Sequence, residues 1–143
     1  MPNTIEQTVF SQVLANLLTI SVANGFSFDI DGKVDEWRDV PHEDESLPAI
    51  DVRDPTNISD EEEEESRRYE IEVTLFDAGS ASPASVREKA QDVLNAFKLI
   101  RNMPEVEAVI FLNSEKEIDK SARSFSAVTM RFAVFYHAEY FEI

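Results

Sequence analysis

Side chains able to act as acids, bases, ligands or nucleophiles are unevenly supplied in this chain. It carries 29 Asp and Glu, 13 Lys and Arg, two histidines, three glycines and no cysteine. The lack of cysteine rules out a thiol nucleophile, a disulfide and any cysteine zinc site. Two histidines, His42 and His137, are too few for an all-histidine metal site. A hydrolytic triad would have to draw on one of them, and neither stands near a nucleophile motif such as G-x-S-x-G. Gly25, Gly32 and Gly79 do not fall at the spacing of a phosphate-cradling loop. Asp29, Asp31, Asp35 and Glu36 surround Asp31-Gly32, but the glycine position and the closing glutamate of an EF-hand are missing, so a solvated turn is the better reading than a calcium loop. With so many carboxylates some pairs are inevitable, and a pair is therefore no sign of acid–base catalysis. The expectation is a protein with no enzyme activity, no cofactor and no metal.

Chemistry of contact is better represented. The formal charge of −16 opposes any grip on a phosphate backbone, which needs clustered Lys and Arg. An acidic wall can still serve DNA by letting it slide past without sticking, which requires a channel built from several chains. Trp37 stands among polar residues, as an edge lid or an interface anchor. Arg131, Phe135 and His137 alternate on the mixed face of the C-terminal segment, where they suit a contact surface; His137 reads as a satisfied or interfacial histidine rather than a catalytic one. Glu61, Glu62, Glu63, Glu64 and Glu65 repel one another, which predicts a mobile loop over about 55–68. A sharper reading displays that loop toward a lumen or a basic partner.

The elements that position these groups follow from periodicity. Residues 4–20 place Ile5, Val9, Phe10, Val13, Leu14, Leu17 and Leu18 along one side of a helix, with Thr4 and Gln7 as a capping box and Asn24-Gly25 as a stop. Phe26, Phe28 and Ile30 alternate up to Asp31-Gly32, predicting a short hairpin that returns through Lys33-Val34. Pro48 leads a short strand with Ile50 and Val52 on one face, which Asp54-Pro55 ends. Tyr69, Ile71, Val73 and Leu75 alternate with Glu70, Glu72 and Thr74, a half-buried strand. Residues 77–81 read as a turn, after which Ser82-Pro83 opens a second helix through Val86, Ala90, Val93, Leu94, Phe97 and Ile100, stopped at Asn102-Met103-Pro104. Residues 106–112 are apolar on nearly both faces, suiting a central strand or an extra contact surface. Residues 113–124 are charged, a loop or a hairpin arm around Ile118. The last segment, 125–143, puts Val128, Met130, Phe132, Val134, Tyr136 and Ala138 on a core face. Two apolar helix stripes suffice to cover one face of a sheet.

One domain over residues 1–143 is expected, large enough to bury roughly 70% of its unfolded surface. There is no run of about 18 apolar residues and no leader-like start, so neither a membrane span nor a signal peptide is expected.

The order of these segments resembles that of the tail terminator (minor tail or tail-completion) proteins of long-tailed bacteriophages. The matching parts are the N-terminal helix 5–20, Pro48-Ala49-Ile50 entering a strand, residues 69–76, the helix opened by Ser82-Pro83, and the strands at 106–112 and 127–136. The resemblance implies an α+β fold with a mixed, largely antiparallel sheet of about four to six strands and two helices packed on one face. It also implies a virion protein assembled in the host cytoplasm, forming a hexameric ring between the tail tube protein and the head-tail connector. Such a ring ends tube polymerisation while DNA passes through its centre without specific binding. Residues 26–37 and 61–65 have no counterpart in that pattern. Two other classes stay open: another neck or head-completion protein, and a small acidic binding or adaptor module.

Overall fold

The computed structural model describes residues 4–40, 47–59, 65–78, 81–117, 125–139 and 141–143. Two helices and five strands form an α+β fold: α1 (Ile5–Leu18), β1 (Val34–Glu36), β2 (Ala49–Ser59), β3 (Ser66–Ala78), α2 (Pro83–Phe97), β4 (Ala108–Glu117) and β5 (Phe125–His137). The strands make one sheet in the order β1-β2-β3-β5-β4, with β1 parallel to β2 and every other pair antiparallel.

The longest antiparallel ladder, β3 with β5, is the one whose alternation is plainest in the sequence. Burial along β3 switches at every residue, and Tyr69, Ile71, Val73 and Leu75 are fully buried. Opposite them on β5, Val128, Met130, Phe132, Val134 and Tyr136 join the same core, as does Ala138 just beyond the strand. That core also holds Val9, Phe10, Val13 and Leu17 of α1 and Val86, Ala90, Val93 and Phe97 of α2, so both helices cover one face of the sheet. Glu70, Glu72 and Thr74 point the other way and are only half-buried.

The helix caps work through their side-chain oxygens, each satisfying a backbone donor that the first turn leaves unpaired. Thr4 Oγ1 accepts from the Gln7 N–H at 3.1 Å, and Ser82 Oγ accepts from the Ser85 N–H at 3.1 Å. The reciprocal half of the expected capping box is absent: the Gln7 side chain donates to Ser11 Oγ instead, at 2.9 Å. Helix α1 also ends sooner than expected, at Leu18, and Leu18 itself, expected on the apolar stripe, is 48% exposed. Asn24-Gly25 closes a separate 3₁₀ turn, Val22–Asn24, in which Gly25 takes a φ of 93°. Helix α2 likewise passes into a 3₁₀ turn, Lys98–Asn102, before Met103.

Four expectations are corrected. No hairpin forms at 26–34: Phe28 and Ile30 are buried by packing, not by strand pairing, and the Ile30 N–H bonds to the Ile20 carbonyl at 3.0 Å. Asp31 and Gly32 do take positive φ, at 51° and 76°, yet the strand they release, β1, runs parallel to β2 rather than folding back. A parallel partner requires a long connection, here residues 37–48. Second, β2 does not end at Asp54-Pro55. The register shifts between Arg53 and Thr56, and the strand continues to Ser59; a bulge tolerates the missing donor of Pro55. Residues 55–59 and 66–68, expected in an acidic loop, are thus strand. Third, residues 77–78 end β3 rather than beginning a turn. Fourth, of the two readings open for residues 106–112, a central strand or an extra contact surface, the central strand is excluded: β4 is an edge strand, largely exposed along its length.

Candidate interaction surfaces

The helix-free face is ordered by the strand register into cross-strand rows. Arg53, Glu72, Arg131 and Asn113 form one row, Thr56, Glu70, Ala133 and Ile110 the next, and Ile58, Arg68, Phe135 and Ala108 a third. Directly opposite side chains on one sheet face lie close enough to interact. Arg131 Nε meets Glu72 Oε1 at 2.9 Å, its Nη1 meets Asn113 Oδ1 at 3.0 Å, and its Nη2 lies 3.7 Å from Glu115 Oε2. The hydrogen bond with Glu72 first, and the negative charge of Glu72 and Glu115 after it, hold the Arg131 guanidinium more firmly protonated than usual. Arg68 pairs with Glu70 at 3.0 Å and lies over the Phe135 ring at 5.9 Å. This is an ion-paired surface with apolar islands at Ile58, Ile110 and Phe135.

Of the residues singled out in the sequence, Arg131, Phe135 and His137 do share this face, at the i, i+4 and i+6 positions of β5. His137 sits at its rim, where Nε2 and Glu107 Oε1 are 2.6 Å apart and both side chains are about half exposed. Trp37 is elsewhere. It follows β1 on the opposite margin of the sheet, three strand spacings from β5, or roughly 14 Å. Glu61, Glu62, Glu63 and Glu64 lie outside the described residues, as does His42. Glu65 is exposed, and its carbonyl accepts from the Ala138 N–H at 2.8 Å.

Trp37 is held firmly for a residue 46% exposed. Its backbone takes a φ of 50°, its N–H bonds to the Val52 carbonyl at 3.0 Å, and the Arg53 guanidinium lies 5.5 Å from its ring. The β2 bulge aims Asp54 between surface and core: Oδ1 accepts from Trp37 Nε1 at 2.7 Å, and Oδ2 accepts from the buried Tyr69 hydroxyl at 2.6 Å. Burial first, and then the bond to Asp54, push the Tyr69 phenol far above its ordinary range. A tryptophan fixed in this way loses little freedom when a partner covers it.

The opposite margin holds a surface that went unrecognised in the sequence. Between α2 and β4 lie two adjoining depressions of about 270 and 190 Å³ that share Gln91, Leu94 and Phe111. Phe111, 47% exposed, gives the floor its aromatic surface; it leans at 5.6 Å on the buried Phe132, which in turn stacks on the buried Phe97 with centroids 3.7 Å apart. The rim is basic, with Arg87, Lys98, Arg101 and Lys116. A sequence signal exists: Arg87, Gln91, Leu94, Lys98 and Arg101 recur at i, i+4, i+7, i+11 and i+14, a second helical stripe beside the core stripe. Ile110, Phe111 and Leu112 on the adjoining edge are 47%, 47% and 38% exposed.

Among the described residues no group of three or more His, Asp or Glu is arranged to hold a metal ion, and no helix is long and apolar enough to cross a membrane.

No protein family and no curated protein matches the sequence. A solved structure does share the fold: a chain of the "Virion of native gene transfer agent (GTA) particle" superposes with a TM-score of 0.60 at 14% identity, over 94% of this chain and 96% of that one. At that identity the likeness establishes a common architecture along nearly the full length of both chains.

Proposed function

We propose that this chain is a structural virion protein: a subunit of a ring that caps the tail tube of a phage-like particle, ends its polymerisation and docks it to the head-tail connector while DNA passes through. The observation that carries this reading is the fold shared, almost end to end, with a chain of the gene transfer agent particle. The surfaces support it. A cyclic ring joins two different surfaces of each subunit, and this sheet offers Trp37 on one margin and the exposed β4 edge on the other. The helix-free face, with Arg131, Phe135 and His137, supplies a third surface for the tail tube or connector. The role is steric and electrostatic, and no bond is made or broken. A charge of −16 per subunit repels phosphates from the bore and keeps DNA mobile.

Negative-stain imaging of the purified protein, alone and mixed with tail tubes, tests the reading. Rings with a central hole that seat on tube ends and halt tube growth are expected; six subunits per ring would match the family resemblance. A protein that binds filled heads instead is a head-completion component. One that stays monomeric and leaves tube length unchanged refutes the proposal.

A further inference from the structure

The groove between α2 and β4 is chemically odd for this molecule. Four of its 13 Lys and Arg line that groove in a chain of net charge −16. Arg87, Lys98 and Arg101 are exposed and have no carboxylate partner among the described residues, whereas Arg38, Arg53, Arg68, Lys89 and Arg131 are each paired within the chain. Free cations around an aromatic floor fit an acidic surface that carries an apolar anchor.

Such a surface exists on the same chain, at the far margin of the sheet. Residues 29–40 contain Asp29, Asp31, Asp35, Glu36 and Asp39 against Lys33 and Arg38, and Arg38 is tied to Asp35 at 3.3 Å and to the Val40 carbonyl at 2.7 Å. Trp37 and Val40 stand out of it at 46% and 67% exposure. In the order β1-β2-β3-β5-β4 the acidic margin follows β1 and the basic groove borders β4. One copy cannot close these margins on each other, but two copies placed head to tail can.

We propose that the α2–β4 groove seats the β1 margin of a second copy of this chain, with Trp37 on the aromatic floor and Glu36 and Asp39 against Arg87, Lys98 and Arg101. This names the subunit contact of the ring and rests on that reading. The contact is heterologous, so each copy uses both surfaces once, and repetition gives a ring where the rotation between copies closes. The Asp54 and Arg53 contacts hold Trp37 ready before the neighbour arrives, which lowers the cost of docking.

Charge reversal tests the match. One variant carries Arg87→Glu, Lys98→Glu and Arg101→Glu; a second carries Glu36→Arg and Asp39→Arg. All five side chains are exposed, and cooperative urea unfolding of each variant checks that the fold is kept. Sedimentation velocity over a wide concentration range should show self-association of the wild type that weakens in high salt. Like charges facing each other across an interface cost several kcal/mol, so each variant should weaken association by at least about a hundredfold. Mixed together, the variants should assemble again in alternation, because the intact groove meets the intact margin at one contact and the reversed groove meets the reversed margin at the next. A chain carrying all five reversals should associate again. Variants that assemble like the wild type overturn this contact and leave the ring reading standing. A wild type that is monomeric at every concentration and leaves tail tubes uncapped overturns both.

Discussion

Asp54 links the core to the surface, and its removal gives the sharpest test of how Trp37 is held. Its carboxylate accepts from Tyr69, a fully buried side chain, at 2.6 Å and from Trp37 at 2.7 Å. A hydrogen bond to a charged group contributes about 1.5–3 kcal/mol, and a buried hydroxyl left unpaired costs about 1–3 kcal/mol. Asp54→Ala removes the first and creates the second, so a loss of about 3 kcal/mol is expected. Tyr69→Phe alone should cost about 1.5 kcal/mol, because Asp54 keeps Trp37 and reaches solvent. The double variant leaves no hydroxyl stranded and should cost about 3 kcal/mol rather than the sum, a coupling of about 1.5 kcal/mol. Equilibrium urea unfolding measures all three values, and the chain's single tryptophan is the reporter. Its native emission should shift in Asp54→Ala, where the indole N–H has lost its acceptor, and stay near wild type in Tyr69→Phe. Additive losses, with coupling below about 0.3 kcal/mol, would refute the bridge.

Three further outcomes follow from the packing. Phe132→Ala opens a void between Phe97 and Phe111 and should cost about 3–5 kcal/mol by urea unfolding, against less than about 2 kcal/mol for Phe132→Leu; equal losses would mean that the aromatic floor is not close-packed. Asp77 and Lys89 pair at 2.6 Å with only 4% and 18% of their side chains exposed. Lys89→Met strands the carboxylate and should cost about 3 kcal/mol, most of it recovered when Asp77→Asn is added; additivity of the two would count against a coupled pair. The third concerns pH. Burial chiefly raises both Tyr69 and Tyr136, with the bond from Asn57 opposing it at Tyr136. The folded chain therefore keeps protons that the unfolded chain loses above about pH 10. Stability should be insensitive to these groups below that point, then fall with rising pH by up to about 1.4 kcal/mol per unit for each tyrosine. Tyr69→Phe should make the alkaline slope shallower, and an unchanged slope would exclude Tyr69 as its source.

Much of the architecture is legible because local periodicity and tertiary burial agree. Strands β3 and β5 alternate cleanly, and Ser82-Pro83 is a sufficient start for α2. The errors lie where burial arises without pairing, or pairing without burial. Phe26, Phe28 and Ile30 alternate because successive side chains pack inward, while the Ser27 N–H and hydroxyl are bound by Asp92 of α2 instead of by a strand. The first half of β4, residues 108–112, is apolar on both faces, which leaves a middle position open; Ile110 and Phe111 instead stay exposed at an edge. Asp54-Pro55 reads locally as a terminator, and only the β3 ladder reveals that the strand resumes at Thr56. The shared sheet face of Arg131, Phe135 and His137 was readable from alternation. The stripe that carries Arg87 on α2 and Lys98 and Arg101 on the 3₁₀ turn after it is legible as periodicity, but nothing in the linear order brings Arg87 beside Lys116 of β4 to make a groove.

The order of strands also sets when the β4 margin comes into being. β4 touches the rest of the sheet only through β5, and β5 reaches β3 across pairs such as Arg131 with Glu72, 59 positions apart in the chain. Closing such a span costs loop entropy before it returns any stabilisation, which makes it a late event in folding. The local β2–β3 hairpin and the two helices can form early, but the wall made by β4 does not exist until the C-terminal strand has docked. A nascent or half-folded chain thus lacks one of the two margins that the proposed ring contact needs, so under that proposal the folding order itself would keep incomplete subunits out of an assembly.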